Sequence, residues 1–151
     1  MFHFRLESVL NYRRTIEENL LKELSELRRQ LSLEEDMLKE MIFEKDRHIN
    51  ELGSLQGGEI TLKIEDIKLY FAYLNGLELK IKKQVDVIEK CQERANKKLA
   101  EVVDAMKNRK ILEVIKERGY REYTREINLK EQRLLDEIAV NRFTQHITSY
   151  V

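Results

Sequence analysis

From residue 17 to residue 55 the apolar residues return at alternating steps of three and four. Set as heptads, the a positions are Glu17, Leu24, Leu31, Leu38, Lys45 and Leu52, and the d positions are Leu20, Leu27, Glu34, Met41, His48 and Leu55. The residues between them are mostly Glu, Lys, Arg, Gln and Ser, the pattern of a helix that buries one narrow seam against another helix. Toward the N-terminus the stripe drifts to Phe4, Val9, Ile16 and Leu20, as a period slipping from about 3.5 toward about 3.6 residues requires. A second stripe runs through Ile67, Tyr70, Leu74, Leu77, Ile81, Ile88, Cys91, Ala95 and Val102. Leu99, Val103 and Met106 then move it sideways before Leu112 and Ile115. It resumes through Tyr123, Ile127, Leu134, Leu135, Ile138 and Phe143. Nothing between 62 and 145 reads as strand.

The two stripes are separated by "ELGSLQGGEI", residues 51–60, which holds Gly53, Gly57 and Gly58, three of the five glycines of a chain that has no proline. Glycine supplies the backbone conformations that a tight reversal needs. One continuous helix would instead carry those glycines as a penalty of ~2–3 kcal/mol. The expectation is an all-α fold, a long antiparallel coiled-coil hairpin with the second helix longer than the first. It forms one coiled-coil domain over 1–151, with helix 1 at about 4–52, a turn at about 53–61 and helix 2 at about 62–146. Gly119 marks a candidate kink. The helices should be roughly 75 Å and roughly 130 Å long. With the reversal near residue 57, Leu38 faces the neighbourhood of Gly76, Leu24 that of Lys90, and Leu10 reaches Asp104. Past about Leu112 the second helix then has no partner, yet its apolar stripe continues. Such a stripe on a lone helix has to be covered by something.

Composition sharpens this picture. Charged residues make up 37 % and aromatics 7 % of the chain, beside an ordinary 42 % hydrophobic share. That balance suits long thin helices, in which most positions stay wet, better than a compact globule. Lys plus Arg equals Asp plus Glu at 28 each, and a neutral chain argues against nucleic acid as the main ligand. The charge is uneven, however: residues 107–125 hold seven bases against three acids. A solvated helix face and a binding patch both fit that excess. Cys91 has no partner for a disulfide, and the start "MFHFRLESVL" is neither a signal peptide nor a membrane span, so the expected compartment is the cytoplasm.

Catalytic patterns are weak. His3, His48 and His146 lie far apart and form no metal-ligand spacing. His48 falls at a d position, where a polar residue sets register more often than it ligates. Cys91 falls on the seam as a small hydrophobe, and Gly57–Gly58 is not followed by the Lys-Ser or Lys-Thr of a phosphate loop. "SLEE" at 32–35 matches a capping box but lies inside a sustained stripe. The reading is a non-enzyme without cofactor or metal. More informative are apolar residues off the seam near the turn. Ile42 and Ile49 at e positions, with Tyr73 and Leu77 on the returning helix, are candidates for a docking patch at the tip. Leu77 also fits a d position.

The start "FRLESVLNYRRTIEENL", the glycine turn, the return "LYFAYLNGLELKI" and the end "ILEVIKERGYREYTREINLKEQRLLDEIAVNRF" together resemble the flagellar FliJ family across essentially the whole chain. The most specific pieces are Phe4, Leu6, Val9, Leu10 and Arg13 at the front, and Glu131-Gln132 with Asp136-Glu137 near the end. The resemblance implies a non-catalytic component of the flagellar type III export apparatus, built like the central stalk of a rotary ATPase. Its implied partners are the export ATPase hexamer, the cytoplasmic domain of the membrane export gate and export chaperones. It would sit in the cytoplasm, at the inner membrane of the flagellar base through its partners. On this view the tip patch of Ile42, Ile49, Tyr73 and Leu77 faces the gate. The opposite end, with Ile127, Glu131, Gln132, Leu134, Leu135, Asp136, Glu137, Ile138 and Phe143, enters the ATPase ring. Two other readings stay open: a coiled-coil nucleic-acid arm of the kind seryl-tRNA synthetases carry, and a plain oligomerising scaffold.

Overall fold

The computed structural model describes residues 1–56 and 63–148. Among these residues there are two helices, α1 (Glu7–Gln56) and α2 (Ile64–Thr148). Ahead of α1 the first four residues are non-helical, and the Glu7 amide donates to the Phe4 carbonyl at 3.2 Å. At the start of α2 the Lys63 carbonyl accepts from the Asp66 and Ile67 amides at 3.0 and 3.2 Å. Glu65 and Asp66 place negative charge where the helix dipole favours it. The glycines divide in an unforeseen way. Gly57 and Gly58 lie outside the described residues, whereas Gly53 is helical and falls three residues short of the end of α1.

The chain gathers into two compact units: an inner unit, Glu18–Val103, and a terminal unit of Met1–Glu17 with Asp104–Val151. In each, cross-helix contacts rise in number along α2 as they fall along α1, so the pairing is antiparallel and the fold is a helical hairpin. In the inner unit Lys45 faces Glu78, Glu34 faces Gln84 and Glu23 faces Lys98. In the terminal unit Glu17 faces Arg109, Arg14 faces Glu113 and Glu7 faces Lys116.

The α1 heptads hold. Every a and d position from Glu17 to Leu52 is buried or half-buried. On α2 the inner unit's seam follows Ile67, Tyr70, Leu74, Leu77, Ile81, Gln84, Ile88, Cys91, Ala95, Lys98 and Val102 without a break in the three-four alternation. In the terminal unit it is carried by Ala105, Arg109, Leu112, Lys116, Gly119 and Tyr123. The expected sideways shift through Leu99, Val103 and Met106 does not occur: all three are exposed, and so is Ile115, which the expected stripe included after it. The reason is that charged residues occupy the seam. Long Arg and Lys side chains lay their methylenes over apolar neighbours while their heads find carboxylates, and a reading tuned to Leu and Ile passes over them.

The register also differs from the expectation. Arg14 already meets Glu113 at 3.3 Å and Glu7 meets Lys116 at 2.6 Å, so Leu10 is not opposite Asp104. α1 runs on through Gly53 to Gln56, and each cross-helix pair lies further along α2 than a reversal at residue 57 would put it. On the same register Phe2 meets Tyr120 and Tyr123, with ring centroids 5.6 and 5.7 Å apart. Cover on α2 ends near Ile127 rather than Leu112. The helix runs unbroken through Gly119 with no positive φ, and a Cβ there would meet Phe2 Cζ at 3.4 Å, an ordinary contact distance.

Candidate functional site

In the terminal unit a network of charges closes the helix pair. The Arg109 guanidinium donates to Glu17 across the pair and to Glu113 of its own helix, the latter at 2.7 Å. Glu113 also accepts from Arg14 at 3.3 Å. The hydrogen bond from Arg109, aided by the one from Arg14, holds the Glu113 carboxyl below the usual carboxylate range. Lys116 completes the set by pairing with Glu7 and reaching over the Phe4 ring, 6.0 Å from its centroid.

Beyond this network the seam continues along α2 with no described residue packed opposite it. Ile127 is half-buried, and from Asn128 to Thr144 every residue is exposed. A helix turns about 100° per residue, which sorts the nine residues assigned to this end. Ile127, Glu131, Leu134 and Ile138, at steps of four, three and four, share the face that is buried upstream, and Leu135 borders it. The other four do not join them. Gln132 lines a shallow groove with Tyr120, Thr124, Asn128 and Leu129. Asp136 falls on that same side, Glu137 lies on a flank, and Phe143 is rotated by about 140° from Ile138. Leu134 and Ile138 are 58 % and 42 % exposed, an apolar stripe edged by the carboxylate of Glu131.

At the tip of the inner unit the four assigned residues separate as well. Leu77 is 5 % exposed and belongs to the core. Its d-type spacing places it on the seam, so it is not a surface contact. Ile42 and Ile49 are exposed on one flank of α1, seven residues apart. Tyr73 is exposed too, but its hydroxyl donates to Glu44, which is rotated by about 200° from Ile42 and therefore stands on the opposite flank. That bond raises the Tyr73 hydroxyl above its usual pKa. The Tyr73 ring meets the edge of His48 at 5.0 Å, and Tyr70 lies 6.2 Å from His48 on the same side.

Sequence reasoning missed the feature this creates. His48, Leu69, Tyr70 and Tyr73 line one open groove, with His48 Nδ1 3.1 Å from a Glu51 carboxylate oxygen. The signal was present as two tyrosines three residues apart facing a d-position histidine, but it needs the cross-helix register to be seen. Cys91 is half-buried on the seam. Among the described residues no group of His, Cys, Asp and Glu is placed to hold a metal ion, and no helix is long and apolar enough to cross a membrane. What the two places offer chemically is binding: an apolar stripe edged by carboxylate at one, an aromatic groove at the other.

Comparison with known proteins gives one family. A family model described as flagellar FliJ protein matches residues 2–147. No curated protein and no solved structure matches the chain.

Proposed function

Because the chain belongs to the flagellar FliJ family, we propose that it acts as a non-catalytic helical stalk of the flagellar type III export apparatus. In this reading it works in the cytoplasm and meets the inner membrane through its partners. The observation that carries the reading is the face of α2 that is buried upstream and bare from Leu134 onward. A buried Leu or Ile contributes about 1.5–3 kcal/mol, so this stripe favours insertion into a partner over solvent. The export ATPase ring is that partner, gripping Ile127, Leu134, Leu135 and Ile138 with Glu131 at the rim. Replacing Leu134 and Ile138 together with Ser tests it. Both side chains are exposed, so stability should change by less than about 0.5 kcal/mol, while binding and stimulation of the ATPase are lost. Unchanged stimulation by the folded variant would overturn the assignment.

The aromatic groove at the tip supports a contact with the cytoplasmic domain of the export gate on the Tyr73 flank. Leu69→Ser should weaken gate binding there, whereas Ile42→Ser and Ile49→Ser on the other flank should not. Binding of export chaperones rests on family membership alone. Nucleic acid is not an expected partner of a chain with no net charge.

A further inference from the structure

The side of α2 turned away from the seam carries a second ordered pattern. Lys107, Ile111, Val114, Arg118, Arg121 and Arg125 follow one another at steps of four and three, which keeps them on one helix face, and all are exposed. Ile111 and Val114, with Ile115 beside them, are 57 %, 40 % and 46 % exposed and line an open groove with Lys107, Lys110 and Arg118. The cationic heads are largely uncommitted. Lys107 and Arg121 reach acids of their own turn at 3.8 Å with both groups solvated, and Arg118 and Arg125 make no ion pair among the described residues. Glu113, in the middle of this stretch, hydrogen-bonds Arg109 and Arg14 and, of the groove's bases, comes near Lys110 alone, at 4.0 Å. This is the uneven charge of residues 107–125 resolved into space. Some of its bases close the helix pair, and the rest rim an apolar strip that none of the described residues covers.

We propose that this strip docks an acidic amphipathic helix of another protein. Apolar side chains of that helix seat on Ile111 and Val114, and its carboxylates face Lys107, Arg118 and Arg121. Charge selects the occupant. A second copy of this chain, in either orientation, would set bases against bases across an interface of like surfaces. Nucleic acid would satisfy the bases, but phosphate contacts give nothing to isoleucine and valine at the centre of the strip. An acidic amphipathic helix satisfies both parts at once. The proposal goes beyond the stalk reading and uses none of the residues from Ile127 onward.

The test uses the full-length chain and a labelled synthetic helix about four heptads long, with Leu at a and d and Glu at the flanking positions. Fluorescence anisotropy should show saturable binding. Ile111→Ser with Val114→Ser, and separately Lys107→Glu with Arg118→Glu and Arg121→Glu, should each weaken it by about tenfold or more. A peptide of equal charge with Ser in place of Leu should bind about tenfold more weakly. Helical circular dichroism should stay constant, since every substituted residue is exposed. Leu134→Ser with Ile138→Ser should leave peptide binding unchanged, which separates this site from the ATPase-facing stripe. A photoreactive side chain at position 111 should label the peptide. The proposal is overturned if the peptide does not bind, if the strip substitutions have no effect, or if the tail substitutions abolish binding. It also fails if the Ser peptide binds equally, as a bare polyanion site for RNA would require, or if the chain sediments as a dimer that Ile111→Ser with Val114→Ser splits.

Discussion

The inner and terminal units hold the same two helices together with different chemistry. In the inner unit the seam is mostly apolar: Leu24, Leu52, Leu77, Ala95 and Val102 are its buried hydrophobic residues. Polar steps interrupt it at Gln84, which donates to the Glu34 carbonyl at 3.0 Å, and at Lys98, which bridges Glu101 and Glu23 at 2.7 and 2.9 Å. In the terminal unit Leu10 and Ala105 are the buried hydrophobic residues. Beside the half-buried Leu112, the rungs there are the Glu17–Arg109–Glu113–Arg14 network, the Glu7–Lys116 pair and the clasp of Phe2 on two tyrosines. Apolar rungs supply most of the burial energy, whereas paired charges add little net stability but punish a wrong partner. The inner unit is thus held mainly by area, and the terminal unit mainly by matching.

The largest expected effect breaks the comparison at its centre. Leu10 is 0 % exposed, and Leu10→Ala should cost about 2–4 kcal/mol in a urea melt. Leu77→Ala should cost a similar or smaller amount, because the inner unit has other buried apolar rungs. An equal loss of terminal-unit amide protection in the two variants would show that the units do not differ as described. Next comes the charge network. Glu17→Ala should lower the melting temperature by leaving Arg109 without its cross-helix partner, while Glu17→Leu with Arg109→Leu should restore it. If the double variant melts no higher than the single one, the network is more than a matching device.

The pH responses should be opposite in sign and smaller. Glu113 has a depressed folded pKa, so its contribution is present above the usual 4.5 and is lost as pH falls through the folded value. Glu113→Gln should flatten that acid limb. Tyr73 has a raised folded pKa, so its contribution is full below the usual 10.0 and is lost as pH rises through the folded value. Tyr73→Phe should remove that alkaline response, read by proton exchange at the inner unit's tip. The smallest effect is a gain. A Cβ at Gly76 meets nothing within 4 Å, and one at Gly119 meets the Phe2 ring at ordinary contact distance. Each Gly→Ala change should stabilise by about 0.5–1 kcal/mol. A loss at Gly119 would mean that the aromatic clasp tolerates no added atom.

The same contrast explains what could be read from the sequence. The α1 heptads and the inner unit's second stripe were legible because leucine, isoleucine and alanine mark a seam directly. The stripe was lost at Leu99 because Lys98, Arg109 and Lys116 occupy seam positions, and charged residues announce themselves as surface. The register slipped because Gly53 was given to the turn, while a glycine inside a helix loses only about 1 kcal/mol and is tolerated. The clasp of Phe2 on Tyr120 was invisible because it joins residues whose opposition depends on that register. Of the candidate end, Ile127, Leu134 and Ile138 extend the period and share one helix face. Gln132 and Asp136 were named from the family resemblance and Phe143 from the apolar stripe, and the turn of the helix carries all three away from that face. At the tip, Leu77 was named a surface contact against its own spacing.

The polar step between Gln84 and Glu34 has a mechanical consequence. Apolar rungs that recur every seven residues look alike after a slip of one heptad, so leucines alone would let one helix slide past the other. Such a slide would carry Glu34 to Cys91 or Leu77, and Gln84 to Met41 or Leu27. The carboxylate would be left without a donor and the amide without an acceptor, which is far costlier than losing a good pair. Glu34 and Gln84 therefore act as a pin through the inner unit, and a pull or twist applied to one helix there is delivered to the other instead of being spent in slippage.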